Sequence, residues 1–251
     1  MAGLRVAAAQ AASVPGDIAA NVWRHCSFIA AAAAAGTQLL VFSELSLTGY
    51  ALPGLAANAI MLDDERLAPL REPGASLDMT IIAGIPLANA AGLPFIGAAI
   101  FHADGRSSAY RKRFLHEGEE KYAAADSAIS KVIDVRGVPV ALAICADTSS
   151  QQHAHAANIA GATLYAAGSV ITPGGYDKEA ARLSGYAKLF ILAVLLANHA
   201  FDTGGYISAG RSAVWLPDGQ LLLEAPGQDE LLVLADEDSA SIVAVDTGKC
   251  H

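Results

Sequence analysis

The chain has 251 residues, 53% of them hydrophobic and only 16% charged, so it can bury one large core or two modest ones, with much of its length inside or in interfaces. Its 16 basic residues against 25 acidic ones give a net charge of −9, which argues against a nucleic-acid or anionic-membrane partner. The longest apolar run, Leu189–Asn198, falls well short of the ~20 residues of a membrane span, and Met1–Gln10 lacks the layout of a signal peptide, so a cytoplasmic protein is expected.

Leu4–Ala11 reads as a first, central strand. Pro15-Gly16-Asp17 then turns the chain, with Asp17 placed to cap a long helix. In that helix Ile18, Val22, Cys26 and Ile29 share one stripe, and an alanine run carries it to Gly36. Gln38–Ser43 is a second buried strand and runs straight into Glu44. Ala51–Asp78 is irregular, with Pro53-Gly54 at its start, Pro73-Gly74 near its end and a helical piece over Asp63–Leu70. Met79–Ile85 is another buried strand. Ile96–His102 and Arg106–Arg111 flank Asp104-Gly105, and Lys131–Val135 and Val138–Ile144 flank Arg136-Gly137; both patterns are hairpins. Gln151–Ile159 and Tyr176–Leu189 read as helices, with strands at Thr163–Ala167 and Ala193–Asn198. The last third, Tyr206–Trp215, Gln220–Leu223, Glu230–Ala235 and Ala240–Val245, reads as antiparallel strands, with Pro217-Asp218-Gly219 as a turn. Without repeats or linkers, 1–251 is expected to form one domain. So many doubly buried strands suggest two stacked sheets with helices outside.

Val140–Cys145 is an unbroken apolar run that stops on a cysteine, and Thr148-Ser149-Ser150 follows as a potential helix cap. A cysteine at such a strand end projects where local N–H groups can bind an oxyanion. The bland alternative is a small hydrophobe in a core, the usual place of a free cysteine. Three cysteines far apart make no disulfide framework, and neither Cys26 nor Cys250 has a catalytic setting. A thiol needs a base or a nearby positive charge. His153 and His155 lie on the following helix, and His25, His102, His116 and His199 lie in other elements, so a Cys–His pair has only weak support. Glu44, Lys112 and Cys145, by contrast, each end a different strand, and residues at one sheet edge converge. A carboxylate base, an ammonium and a thiol form a complete set for acyl transfer, with the backbone N–H of Ala146 as second oxyanion donor.

Three blocks, VFSELSLTGY (Val41–Tyr50), YRKRFL (Tyr110–Leu115) and ALAICAD (Ala141–Asp147), resemble in order the signature blocks of the nitrilase, or carbon–nitrogen hydrolase, superfamily. Ala9-Gln10, Ala197-Asn198 and Trp215–Gly219 extend the likeness along the whole chain. The resemblance implies an α/β fold, a four-layer α-β-β-α sandwich. It also implies a Glu–Lys–Cys triad on Glu44, Lys112 and Cys145, and hydrolysis or condensation of a non-peptide C–N bond through a thioester. No metal or organic cofactor is implied. A second glutamate commonly follows the lysine; its spacing points to Glu120, with Glu119 open and a solvated acidic loop as the plain alternative. Tyr50 either lines the pocket or packs beneath it. Phe114 and His116 either shape it or belong to a loop, Ser169 is placed to contact substrate, and Asp147 is expected to fix the turn. Superfamily likeness also implies a homodimer joined through Gln151–Ile159 and Tyr176–Leu189.

Departures limit the substrate. Ser43 stands where the family usually has proline, and Thr148–Gln152 replaces the usual residues after Cys-x-Asp. The Trp-Glu pair of true nitrilases is Ala146-Asp147 here. The expected partner is a small-molecule amide that releases ammonia. Alternatives are an N-carbamoyl amide, for which Arg113 is the nearby cation, a Cys–His amidotransferase or protease, and a catalytically silent dimeric binding protein on the same scaffold. The second lacks its flanking glycines around Cys145, and the third would be expected to have lost a triad residue.

Overall fold

The computed structural model of the chain describes residues 3–127 and 131–248. Cys250 lies outside the described residues. The first half builds strands β1 (Val6–Gln10), β2 (Leu39–Phe42), β3 (Thr80–Leu87), β4 (Phe95–Phe101) and β5 (Ser107–Arg111), with helices α1 (Ile18–Ala34) and α2 (Ala68–Ser76). The second half builds β6 (Val132–Val135), β7 (Val138–Ile144), β8 (Leu164–Ser169) and β9 (Ala193–Asn198), with α3 (Gln151–Ile159) and α4 (Pro173–Phe190). Then follow β10 (Asp202–Thr203), β11 (Tyr206–Ile207), β12 (Ala213–Trp215), β13 (Leu221–Glu224), β14 (Leu231–Ala235) and β15 (Ala240–Ala244).

The strands form a seven-stranded sheet, β15-β14-β1-β2-β3-β4-β5, and a six-stranded sheet, β13-β12-β9-β8-β7-β6. Each has a parallel centre, β1-β2-β3 and β7-β8-β9, flanked by antiparallel strands. Strand alternation explains why these centres are apolar on both faces. Val6 and Ala8 of β1 pack with Val140, Leu142 and Ile144 of β7 in the core between the sheets. Ala7 and Ala9 face outward under Ile18, Val22, Phe28 and Ile29 of α1. Ala141 and Ala143 of β7 face Ala154 and Ala157 of α3 and Leu183 of α4 in a third core. Three cores between four layers make the α-β-β-α sandwich. Among the described residues, no helix is long and apolar enough to cross a membrane.

Two segments differ from the pattern read in the sequence. The helical piece expected over Asp63–Leu70 is a short turn at Glu65–Leu67 followed by α2, which runs on through Pro73. The one bond Pro73 removes is that to the Pro69 carbonyl, and this carbonyl instead lies 3.8 Å from the Cys26 thiol. Tyr206–Trp215 is not one strand. Gly210 and Arg211 both take positive φ, and the buried Asn198 side chain binds the Gly210 carbonyl at 2.7 Å, which separates β11 from β12.

Candidate active site

The strand ends of both sheets meet at one edge of the sandwich, and the backbone around Glu44 is held there by close approach. Past β2 the chain bends at Ser43-Glu44 between Gly84 of β3 and Gly168 of β8. A Cβ on Gly84 would lie 2.3 Å from the Ser43 carbonyl oxygen, and one on Gly168 would lie 2.7 Å from that of Phe42. Only glycine at both positions lets the two sheets close on this bend. The Glu44 side chain is consequently sealed from solvent.

Lys112 follows β5 and is fully buried. Its Nζ donates to Glu44 Oε1 at 2.6 Å and to Glu119 Oε1 at 2.7 Å. Glu119 Oε1 also accepts the Tyr50 hydroxyl at 2.5 Å, while Oε2 accepts the His116 backbone N–H at 2.8 Å. Glu120, the residue favoured by spacing, points away: it is exposed and its carboxylate takes the Gly118 N–H at 2.6 Å. The reason is local. Gly118 adopts a left-handed conformation (φ 94°) and starts a helical turn at Glu119, which directs Glu119 inward and its neighbour outward.

Cys145 sits on its own bend, with φ 41°, between β7 and a 3-10 turn over Cys145–Ser149. Asp147 fixes that bend to the lysine strand. Its Oδ2 accepts the Ile144 N–H at 2.9 Å and the Tyr110 hydroxyl at 2.6 Å; its Oδ1 accepts the N–H groups of Arg113 at 3.0 Å and Phe114 at 2.8 Å. The Cys145 thiol lies 3.9 Å from the Val170 carbonyl and 3.2 Å from Nε2 of His116. Ala146 is buried in the first turn after the cysteine, where an N–H has no helical partner.

Above the thiol opens a cavity of about 500 Å³ lined by Tyr50, His116, Ser169, Val170, Glu179 and Tyr206, among others. Tyr50 and Ser169 are thus wall residues. Phe114 is not: its ring turns edge-on to His153 at 6.3 Å and lies under the Arg113 guanidinium at 5.4 Å, because its backbone is tied to Asp147. Two buried polar atoms at the site, Glu44 Oε2 and Ser169 Oγ, have no hydrogen-bond partner.

One buried ammonium faces two carboxylates and a thiol. Burial raises the Glu44 pKa to about 7, with Glu119 adding to the rise and Lys112 opposing it. Burial disfavours the Lys112 charge, but Glu44, Cys145 and Glu119 outweigh it, so the amine stays protonated. Burial and Glu44 push the Cys145 thiol well above its ordinary range against the pull of Lys112. At rest the cysteine is therefore a thiol next to a carboxylate able to take its proton near neutral pH.

A family model described as carbon–nitrogen hydrolase matches residues 5–246. The chain belongs to the carbon–nitrogen hydrolase family. Solved structures of an amidase from Nesterenkonia sp. AN1 share the fold of this hydrolase. One, a glutamate-to-glutamine mutant showing Michael addition of acrylamide at the active site cysteine, is 24% identical, with 93% of this chain and 92% of that chain covered and a TM-score of 0.85. A second, a cysteine-to-alanine mutant in complex with butyramide, is 24% identical over 93% and 90% of the two chains, also at 0.85. A third, with the acetamide moiety of fluoroacetamide added to the active site cysteine, is 23% identical over 97% and 90%, at 0.84. No curated protein sequence matches the chain.

Sequence spacing missed two features of the hydrolase: the inward glutamate and the His116–Cys145 contact. The glycine ahead of the glutamate pair was the signal for the first, since a turn beginning after Gly118 sets which glutamate faces in. Replacing Glu119 by Gln is expected to reduce kcat/KM of C–N bond hydrolysis by roughly a hundredfold or more, because Lys112 and Tyr50 both lose a charged acceptor. Glu120→Gln is expected to change it by less than about threefold, as for other exposed substitutions. Steady-state kinetics on both variants checks this, and equal effects would contradict the assignment.

Proposed function

We propose that this hydrolase is an amidase that releases ammonia from small carboxamides through a thioester on Cys145. The observation that carries the reading is the Lys112 ammonium held between Glu44 and Glu119 beside the thiol at the cavity floor. In this reading Glu44 Oε2, buried and unpaired, receives the thiol proton as Sγ attacks the carbonyl carbon. The oxyanion that forms is met by Lys112 and the Ala146 N–H. Collapse of the intermediate passes the proton from Glu44 to the departing nitrogen, and ammonia leaves. Water then attacks the thioester with Glu44 again as base, the acid is released, and the sulfur recovers its proton. Glu119 keeps the ammonium in place and takes no proton in this scheme. The unpaired Ser169 Oγ and the Tyr50 ring are the expected substrate contacts on the wall.

Bound butyramide, and amide reagents on the active site cysteine, in the Nesterenkonia amidase support carboxamides as the class. The carbamoyl alternative needs a cation for a substrate carboxylate. Arg113 is turned onto Phe114, which leaves Lys178 and Arg182 at the cavity, the latter engaged by Glu179. A reducing, cytoplasmic setting suits a nucleophile that must remain a free thiol, and both described cysteines are free.

Incubation with a panel of short amides, nitriles and N-carbamoyl amino acids should yield ammonia from uncharged amides, without carbon dioxide and without nitrile turnover. Cys145→Ala should abolish that activity and leave the fold intact. Nitrile rates equal to the best amide, or turnover surviving in the alanine variant, would overturn the reading.

A homodimer through α3 and α4 belongs to the same proposal. Ile159, Leu189 and Ile191, at the ends of these helices, are 73%, 59% and 77% exposed, an apolar group that a two-fold contact would cover. Solution scattering at micromolar concentration should give twice the chain mass; a monomer would contradict it.

A further inference from the structure

His116 has no part in the proton path described above, yet its Nε2 lies 3.2 Å from Cys145 Sγ, within hydrogen-bond reach of the nucleophile. The segment that carries it is fixed at both ends. The His116 N–H is bound to Glu119 Oε2, and Phe114 two residues earlier is bound to Asp147, the residue that also holds the cysteine bend. The backbone that carries the imidazole is thus placed by the same two carboxylates that hold Lys112 and the Cys145 bend.

We propose that His116 is a positioning residue for the nucleophile, its Nε2–H donating to Cys145 Sγ so that the sulfur is aimed at the cavity and its thiolate stabilised as Glu44 removes the proton. The inference rests on Cys145 as nucleophile. The direction of the bond follows from the neighbours. The thiol hydrogen has an acceptor of its own in the Val170 carbonyl at 3.9 Å, so the sulfur is left as the acceptor toward the ring. The charged groups around the imidazole are Lys112 beyond β5, Glu119 in its turn, Asp147 after β7 and Glu179 on α4. Partial burial and Lys112 lower the imidazole pKa from its ordinary value, against the three carboxylates, which favours the neutral ring as a donor that adds no second cation. A bond to an ionised acceptor is stronger than one to a neutral one, so this contact gains strength as the thiolate forms and loses it in the thioester. That is the pattern that favours attack over the resting state.

The test reads the thiol directly. The pH dependence of Cys145 alkylation by iodoacetamide is followed by peptide mass spectrometry, which separates it from Cys26. His116→Phe, which keeps a ring but no donor, should move the profile up by about one pH unit and slow alkylation at pH 7 about tenfold. His116→Gln, which keeps an N–H near the Nε2 position, should restore most of the rate, and kcat should follow the same order. An unchanged alkylation profile in His116→Phe, with only KM altered, would overturn the proposal and leave His116 as a wall residue. Amide turnover surviving Cys145→Ala would instead strike the nucleophile assignment, which the alkylation profile does not depend on.

Discussion

An ammonium with no solvent contact cannot keep its charge unless anions replace the water it has lost, since the desolvation cost is several kcal/mol per ion. Lys112 is such a group, and it takes Glu44 on one side and Glu119 on the other. Two carboxylates around one ammonium leave a surplus negative charge in a dry site. Glu44 carries the consequence: its remaining oxygen has no partner, and burial, with Glu119 adding to it against Lys112, raises its pKa to about 7. Moving a proton from Cys145 to Glu44 leaves the total charge of the cluster unchanged. The site can therefore make a thiolate without burying a further charge.

Much of the rest of the structure serves to hold those few atoms still. Gly84 and Gly168 let the two sheets close on the Glu44 bend. Asp147 binds four donors from two strand ends and so ties the cysteine turn to the lysine strand. Behind it Tyr110 also contacts His153, whose other ring nitrogen reaches Tyr165, so the tie is itself buttressed. Rigid supports of this kind maintain the spacing that proton transfer and attack require.

The layers were legible in the sequence because burial on both faces of a strand leaves no polar alternation, as in Val140–Cys145, and because two strands so marked end on Glu44 and Cys145 while the Asp104-Gly105 hairpin sets the strand that ends on Lys112. What escaped depends on single backbone angles or on contacts between distant residues. Glu119 and Glu120 differ only in which side of the Gly118 turn they leave, so counting from Lys112 favoured the one that faces outward. Phe114 follows the lysine by two residues, but its backbone is committed to Asp147 and its ring is carried away from the cavity. The His116–Cys145 contact spans 29 residues of sequence and two different sheets, with no local pattern to reveal it. Likewise α2 runs on through Pro73, with the Cys26 thiol of α1 3.8 Å from the Pro69 carbonyl, a contact that no local rule would supply.

The central claim is that burial, helped by the nearby Glu119, tunes Glu44 to accept the thiol proton near neutrality. The direct measurement is the pH dependence of kcat/KM for an amide substrate, which reports groups of the free enzyme. Below its pKa Glu44 is protonated and cannot take the proton, so the rate should fall with decreasing pH along an acid limb centred near 7. An acid limb at about 4 to 5, where an unperturbed glutamate titrates, would contradict the account.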